Sequence, residues 1–152
     1  MQFFRYVTIV SVLAATAGCS TTQQITLGKS ATSKRIATVA QVMDDGNSPQ
    51  MDTNLEAALT KEGLTVGAKL PLGTKTTKDV DVLVSYVDVW RWDLVMYMKN
   101  LTVQLRDAET GDLLAIVQWS DSAFHGFRDA KLVMESAVTE MLTKVRATLK
   151  EK

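Results

Sequence analysis

The stretch from 79 to 121 constrains the fold most, because three strand patterns follow one another there with turns between them. The first has apolar residues on both faces, the second alternates apolar with polar residues, and the turn sequence at 107–112 leads into the third. We place the first turn near 91–94, so that the second strand runs from Val95 to Arg106. The apolar positions are Val80, Val82, Val84 and Tyr86 on one face of the first strand with Leu83, Val87 and Val89 on the other, then Leu101, Val103 and Leu105, then Leu113, Ala115, Val117 and Trp119. The sequence therefore predicts an antiparallel meander of three strands.

The residues on either side of the meander predict two helices and two further strands. Residues 34–43 alternate with apolar side chains on both faces, and Ser48-Pro49 then opens a helix that Gly63 ends. A second strand begins at 64–66, beside the first. Asp129 can cap a final helix that runs to about Lys150, with apolar residues at helical spacing. We predict an α+β (or α/β two-layer) domain: one mixed sheet of about five strands, packed by two helices.

The first 33 residues do not fit this domain. Residues 6–17 form an unbroken run of apolar or small residues, shorter than the roughly 20 that a bilayer-spanning helix needs. Arg5 precedes the run, and Ala17-Gly18 stand before Cys19, the chain's single cysteine. This is the organisation of a secretory signal. Residues 20–34 are mostly Ser, Thr, Gln, Gly and Lys, which predicts a flexible tether with at most a short edge strand at 24–27.

These N-terminal residues resemble a bacterial lipoprotein signal, in which the cysteine is acylated and becomes the first residue of the mature protein. The resemblance implies three parts: a signal peptide at 1–18, the lipidated Cys19 with a flexible tether at 19–33, and a single α+β domain at 34–152. Ser20 stands where an aspartate commonly retains such lipoproteins at the inner membrane, which implies the periplasmic face of the outer membrane. The alternative is a plain secretory signal cleaved near Gly18, with Cys19 left as a free thiol.

Charge and composition exclude several classes of function. Removal of the first 18 residues leaves 134, with 16 Lys plus Arg against 17 Asp plus Glu and a net charge of −1. Proteins that bind nucleic acid need a basic surface, so no nucleic-acid partner is expected. Nor is a polybasic membrane patch present, so attachment to a membrane must come from lipid on Cys19. With one His and one Cys, no metal is expected, and no glycine-rich phosphate loop or cofactor motif occurs.

The single histidine, His125, is the only candidate for nucleophilic catalysis. Serines and an aspartate lie close to it in the stretch 120–127. Neighbours in one loop rarely take the geometry of a catalytic triad, and no G-x-S-x-G motif is present. We therefore expect no enzyme, and keep a hydrolase that uses His125 as a third hypothesis.

A cluster of aromatic and charged residues supplies the candidate interaction site: Trp90, Arg91, Trp92 and Asp93. Trp and Arg anchor many protein interfaces because each combines large contact area with a polar group. The alternative is that at least one tryptophan joins Trp119 in the core under the final helix, and that Arg91 pairs with an aspartate across the hairpin. Two further residues of the second strand, Met96 and Met98, stand two apart and are expected in the core.

Three stretches look like a pattern found in small bacterial lipoproteins: 55–66, with a helix that ends in Gly, 79–86, with an acidic and apolar alternation, and 110–115, with a Thr-Gly hairpin. The pattern is similar to the curli-secretion lipoprotein, to the outer-membrane lipoprotein activators of penicillin-binding proteins and to further uncharacterised lipoprotein families. The expected function is that of a non-enzymatic, periplasm-facing lipoprotein that acts through contacts with an envelope protein in cell-envelope assembly or maintenance. The alternative is a carrier of a lipid or small apolar ligand in a cavity between sheet and helices.

Overall fold

The computed structural model of the chain describes residues 21–29, 35–122 and 127–150, with the backbone alone for the last two of these. Several predicted features lie outside the described residues: the signal peptide at 1–18, Cys19, the tether residues 20 and 30–33, and His125. The strands are β1 (Thr22–Leu27), β2 (Thr38–Gln41), β3 (Thr65–Val66), β4 (Val82–Asp93), β5 (Val95–Asp107) and β6 (Leu113–Ser120), and the helices are α1 (Pro49–Lys61) and α2 (Ala130–Lys150).

The strands form one mixed sheet in the order β1-β6-β5-β4-β2-β3. The meander of β4, β5 and β6 is antiparallel, and β2 lies parallel to β4 and β3, so the predicted α+β class is confirmed. The sheet has six strands rather than about five, because β1 pairs with β6 from Thr22 opposite Ser120 to Leu27 opposite Ala115. The edge strand expected at 24–27 therefore begins two residues earlier, since β6 offers an unpaired edge along its whole length.

The β2–α1–β3 unit follows the sequence signals closely. Ser48 precedes Pro49 at the start of α1, and Gly63 takes a left-handed backbone with φ 80° just after its end. The strand β2 is shorter than the predicted 34–43, because the carboxylate of Asp81 fixes the chain before it. That carboxylate accepts hydrogen bonds from the backbone N–H groups of Ala37 (2.9 Å) and Thr38 (2.8 Å).

Both helices cover the same face of the sheet, and the core lies between them and the strands. The largest fully buried side chains include Tyr86, Met51, Leu55, Leu59, Leu101, Leu105, Met134, Met141 and Leu142. Burying a side chain of this size stabilises the fold by about 1.5–3 kcal/mol. The opposite face carries only a small apolar cluster around Leu83 and Ala108. Among the described residues, neither helix is both long and apolar enough to cross a membrane.

Candidate functional sites

The strands β4 and β5 continue past the rest of the sheet as a two-stranded hairpin. The last residue of β6, Ser120, pairs with Asn100, whereas β4 and β5 stay paired as far as Asp93 opposite Val95. We call residues 90–98 the tryptophan hairpin. Only Leu94 separates its two strands, and it adopts a left-handed backbone with φ 63°. The first turn of the meander therefore lies where the sequence predicts it.

A bulge at the base of the hairpin decides which side chains face the core. Val89 pairs with Asn100, but the next residue, Trp90, pairs with Met98, so Lys99 is an extra residue in β5. The Lys99 ammonium donates to the backbone oxygens of Asp121 (2.9 Å) and Ser122 (3.1 Å). The bulge thereby turns Met98, rather than Lys99, towards the helices.

The structure brings the four candidate interaction residues together on this hairpin, but in different environments. Trp90 is half-buried and packs against the core, with its indole N–H donating to Asp88. Arg91, Trp92 and Asp93 are exposed, and 72% of Trp92 is open to solvent. Trp119 is only 5% exposed and lies in the core, as the alternative drawn from the sequence has it, and Trp90 packs against the edge of that core.

The methionine pair divides in the same way. Met98 is 3% exposed and belongs to the core, as expected. The expectation for Met96 is wrong, because that side chain is 60% exposed. Met96 lies beyond the row where β6 and the rest of the sheet end, so the packing that covers Met98 does not extend to it.

Exposed apolar side chains gather at this end of the molecule. Six of the ten exposed large hydrophobic residues in the described chain lie on the hairpin or beside the start of α2: Trp92, Leu94, Val95, Met96, Phe127 and Leu132. The ring of Phe127 packs edge-on against Tyr97 of the hairpin, at 6.1 Å between centroids. Sequence reasoning missed this cluster, although one signal was present. The turn of a short hairpin usually holds Gly, Asn or Asp, and here it holds Leu94 followed by Val95 and Met96.

Asp88 ties the base of the hairpin to the first helix. Its side chain is 8% exposed, and the oxygen Oδ2 accepts from the Ser48 hydroxyl at 2.8 Å as well as from Trp90. Ser48 stands at the start of α1, so the carboxylate links three parts of the chain. The other oxygen, Oδ1, is buried without a hydrogen-bond partner in the described structure.

A second carboxylate, Asp52 on α1, accepts three hydrogen bonds at 2.6 Å, from Tyr86 and Gln41 on Oδ1 and from Lys69 on Oδ2. Burial works to raise the pKa of Asp52, but the bonds from Lys69, Tyr86 and Gln41 outweigh it and hold the pKa below the ordinary 3.8. Burial and the Asp52 contact raise the pKa of Tyr86 well above its usual range. The Asp52 carboxylate therefore stays ionised and the Tyr86 hydroxyl stays protonated, so their hydrogen bond holds β4 to α1 and does not transfer a proton.

The described residues also line two surface cavities, and neither lining includes a residue of the tryptophan hairpin. The first, which we call the sheet-face groove, has a volume of about 680 Å³ and opens on the face without helices. Its lining residues include Met43, Asp44, Leu72, Lys75, Ser85, Gln104 and Arg106. The second, the helix-edge cavity, measures about 460 Å³ and lies between β1, β6 and α2. The sequence gives no local signal of this groove, because Met43 ends the apolar alternation of 34–43 and Leu72 lies between Pro71 and Gly73.

Metal ligands are not grouped in the part of the chain that the structure describes: no three His, Cys, Asp or Glu side chains come together there as a bound ion would require.

The chain is similar in fold to a solved structure of PelC. No protein-family model matches the sequence, and no curated protein matches it. A PelC dodecamer from Paraburkholderia phytofirmans matches at a TM-score of 0.54 and 14% identity, over 83% of this chain and 97% of that one. TolB from Acinetobacter baumannii matches at 0.49 and 16% identity, over 82% and 32%. A PDZ domain protein from Parabacteroides distasonis matches at 0.46 and 14%, over 89% and 38%.

The PelC likeness defines the class of domain, a two-layer α+β fold in which both helices cover one face of a mixed sheet. Kinship with the curli-secretion lipoprotein and the penicillin-binding-protein activators stays a prediction.

Proposed function

We propose that this chain is a non-enzymatic lipoprotein, held at the periplasmic face of the outer membrane by lipid on Cys19, that acts through protein contacts in cell-envelope assembly or maintenance. The membrane part of the proposal is supported by the apolar leader that ends in small residues before Cys19. The protein-contact part is supported by a fold shared with PelC, a chain that assembles as a dodecamer.

The sheet-face groove is the observation that carries the protein-contact role. Both helices cover the opposite face, which leaves the groove on a face that a partner can approach. Met43 and Leu72 are 42% and 58% exposed, and Lys75 and Arg106 outnumber Asp44 along the lining. A volume of 680 Å³ lies within the range of about 300–1,000 Å³ that ligand pockets occupy. The groove therefore suits a short protein segment that carries apolar side chains beside a carboxylate.

The test is capture of a partner from solubilised envelopes by the full chain after its own processing. The variant Met43→Ser with Leu72→Ser removes the apolar lining of the groove. Val87→Ser is the matched control, because Val87 is 49% exposed on the same sheet but does not line the groove. We expect a partner, identified by mass spectrometry and then purified, to bind the natural chain and the control but not the groove variant. Equal binding to all three would contradict the role of the groove.

The tryptophan residues predicted as an interaction site are tested in the same experiment. Loss of the partner with Trp90→Ala and Trp92→Ala, while the groove variant still binds, would move the protein contact to the hairpin. Failure of every form of the chain to bind any purified partner would count against the protein-contact role as a whole.

The carrier function is a second candidate, favoured by the helix-edge cavity, which lies between sheet and helix where the sequence hypothesis puts a ligand. Trp119 and Val133 form its apolar wall, while Arg128, Asp129 and Glu140 are charged. An amphiphile would match that lining better than a fully apolar ligand. Native mass spectrometry of protein purified from its own membranes checks this, with a copurified small molecule as the expected result and ligand-free protein as the contrary one.

A further inference from the structure

We propose that the tryptophan hairpin, with Phe127 packed beside it, inserts its exposed apolar side chains into the lipid bilayer as a second membrane contact. The inference rests on the proposed function in one respect, since it takes Cys19 to carry lipid. It goes beyond that function because it assigns an orientation to the domain and a role to residues that the groove does not use.

The first step is the direction in which the N-terminal chain leaves the domain. Thr22 begins β1 and pairs with Ser120, and Ser120 pairs in turn with Asn100. These residues form one row across the sheet, at the end from which the hairpin projects. Because β1 runs away from that row towards Leu27, the described chain begins, at Thr21, at the hairpin end of the domain.

The second step is a comparison of reach. Cys19 precedes Thr22 by three residues. Three extended residues span at most about 11 Å, so lipid on Cys19 holds this end of the domain close to the bilayer. From Val89, opposite Asn100, to Asp93, opposite Val95, the hairpin extends about 13 Å beyond the same row, at the usual rise of about 3.3 Å for each strand residue. The tip of the hairpin can therefore reach the membrane that the lipid on Cys19 occupies.

The third step is the chemistry of the tip. Trp92 offers a ring suited to the boundary between headgroups and acyl chains, where tryptophan is enriched. Leu94, Val95 and Met96 follow it, and Leu94 is 87% exposed. A contiguous apolar patch of this kind marks a binding surface rather than ordinary solvent-exposed surface.

The charged residues around the patch indicate whether electrostatic attraction or burial of apolar surface would drive its binding to a membrane. The exposed cations Arg91, Arg128 and Lys131 stand with the exposed anions Asp93 and Asp129 at this end of the molecule. Signs so nearly balanced give little attraction to anionic lipid, so burial of apolar surface must drive insertion. The contact should accordingly depend only weakly on salt and on lipid charge.

A second copy of the chain is the main competing occupant, because the PelC chain of similar fold forms a dodecamer. The position of the patch favours the bilayer. Thr22, three residues after Cys19, and the hairpin lie at the same end of the sheet. A protein neighbour would have to compete there with the membrane.

The experiment uses tryptophan fluorescence of the full chain, expressed with its leader, purified from membranes and reconstituted into phosphatidylcholine vesicles with brominated acyl chains. Trp119 is buried and Trp90 half-buried, so Trp92 is the described tryptophan most open to bromine. Trp92→Phe is the matched variant, because it removes the probe and keeps the apolar ring. We expect bromolipid to quench a component of the natural protein's emission that Trp92→Phe lacks, with little change on adding phosphatidylglycerol or salt.

Equal quenching of the two proteins would overturn the proposal. A different result would also overturn it: Trp92 becomes shielded from solvent but is not quenched by bromolipid, and the chain forms oligomers that the Trp92→Phe variant does not form. That result would make a second copy of the chain the occupant of the patch. Intact mass of the same preparations separates the two hypotheses. An unmodified Cys19 would refute the lipid anchor, while quenching of Trp92 in vesicles would still decide whether the hairpin enters lipid.

Discussion

Tyr86 donates its hydroxyl hydrogen to Asp52 at 2.6 Å and so joins the central strand β4 to helix α1. Tyr86 is only 1% exposed, and loss of its hydroxyl leaves the partly buried Asp52 carboxylate with one bond fewer. We expect Tyr86→Phe to lower the free energy of unfolding by about 1–3 kcal/mol. Chemical denaturation measures the change. The exposed neighbour Val87→Ala is the control, and an effect of Tyr86→Phe no larger than that of the control would show that the bond contributes nothing.

Stability should fall in acid through Asp52. The pKa of this carboxyl in the folded chain lies below 3.8, so folding favours its ionised form. Its contribution is therefore complete above that ordinary value and is lost as the pH falls through the lower, folded pKa. Lys69, Tyr86 and Gln41 donate to the group directly, and the raised pKa of Tyr86 keeps its hydroxyl protonated throughout this range. We expect the acid side of the stability curve, measured by denaturation at a series of pH values, to be flatter in Asp52→Asn. An unchanged slope would assign acid sensitivity to other carboxylates.

Leu94 occupies a backbone conformation that suits glycine. A side chain larger than hydrogen in the left-handed region costs about 1–2 kcal/mol. Leu94→Gly should therefore raise the free energy of unfolding by about 1 kcal/mol, although it removes an apolar side chain. Gly63→Ala is the matched opposite, because Gly63 has φ 80° and no atom within 4 Å of the added methyl group. If Leu94→Gly destabilised the protein, the side chain would have to make packing contacts that its 87% exposure does not show.

Gly28 allows the close approach of β1 to β6. A methyl group there would lie 1.6 Å from the backbone oxygen of Leu113, which is far inside contact distance. The Gly28 N–H also donates to Leu114 at 2.8 Å. We expect Gly28→Ala to separate the end of β1 from the sheet, so that its amide hydrogens exchange faster while those of β5 are unchanged. Protection of β1 equal to that in the natural chain would contradict the pairing.

Local patterns predict the fold where local chemistry decides it. Pro49 and Gly63 mark the ends of α1 because backbone preference acts over a few residues, whereas the Ser48 hydroxyl makes no cap bond to the helix and donates to Asp88 instead. The turn after Asp107 is predictable for the same reason. The side chain of Asp129 starts α2 by accepting from the N–H of Lys131 at 2.8 Å, as the sequence indicates.

The surface sites could not be predicted because they depend on long-range register. Three tryptophans of similar local pattern have three environments: Trp119 lies in the core, Trp90 at its edge and Trp92 in solvent. The bulge beside Trp90 and the point where β6 stops decide between them, and neither follows from alternation along one strand. The sheet-face groove likewise brings together Met43, Leu72 and Arg106, which are distant in sequence.

The state of Cys19 tests the central claim most directly. Intact mass of the protein extracted from its native membranes should correspond to a chain that begins at Cys19 and carries the added mass of several acyl groups. A full-length chain with its leader, or a shortened one with an unmodified thiol, would contradict the lipid anchor and the location inferred from it.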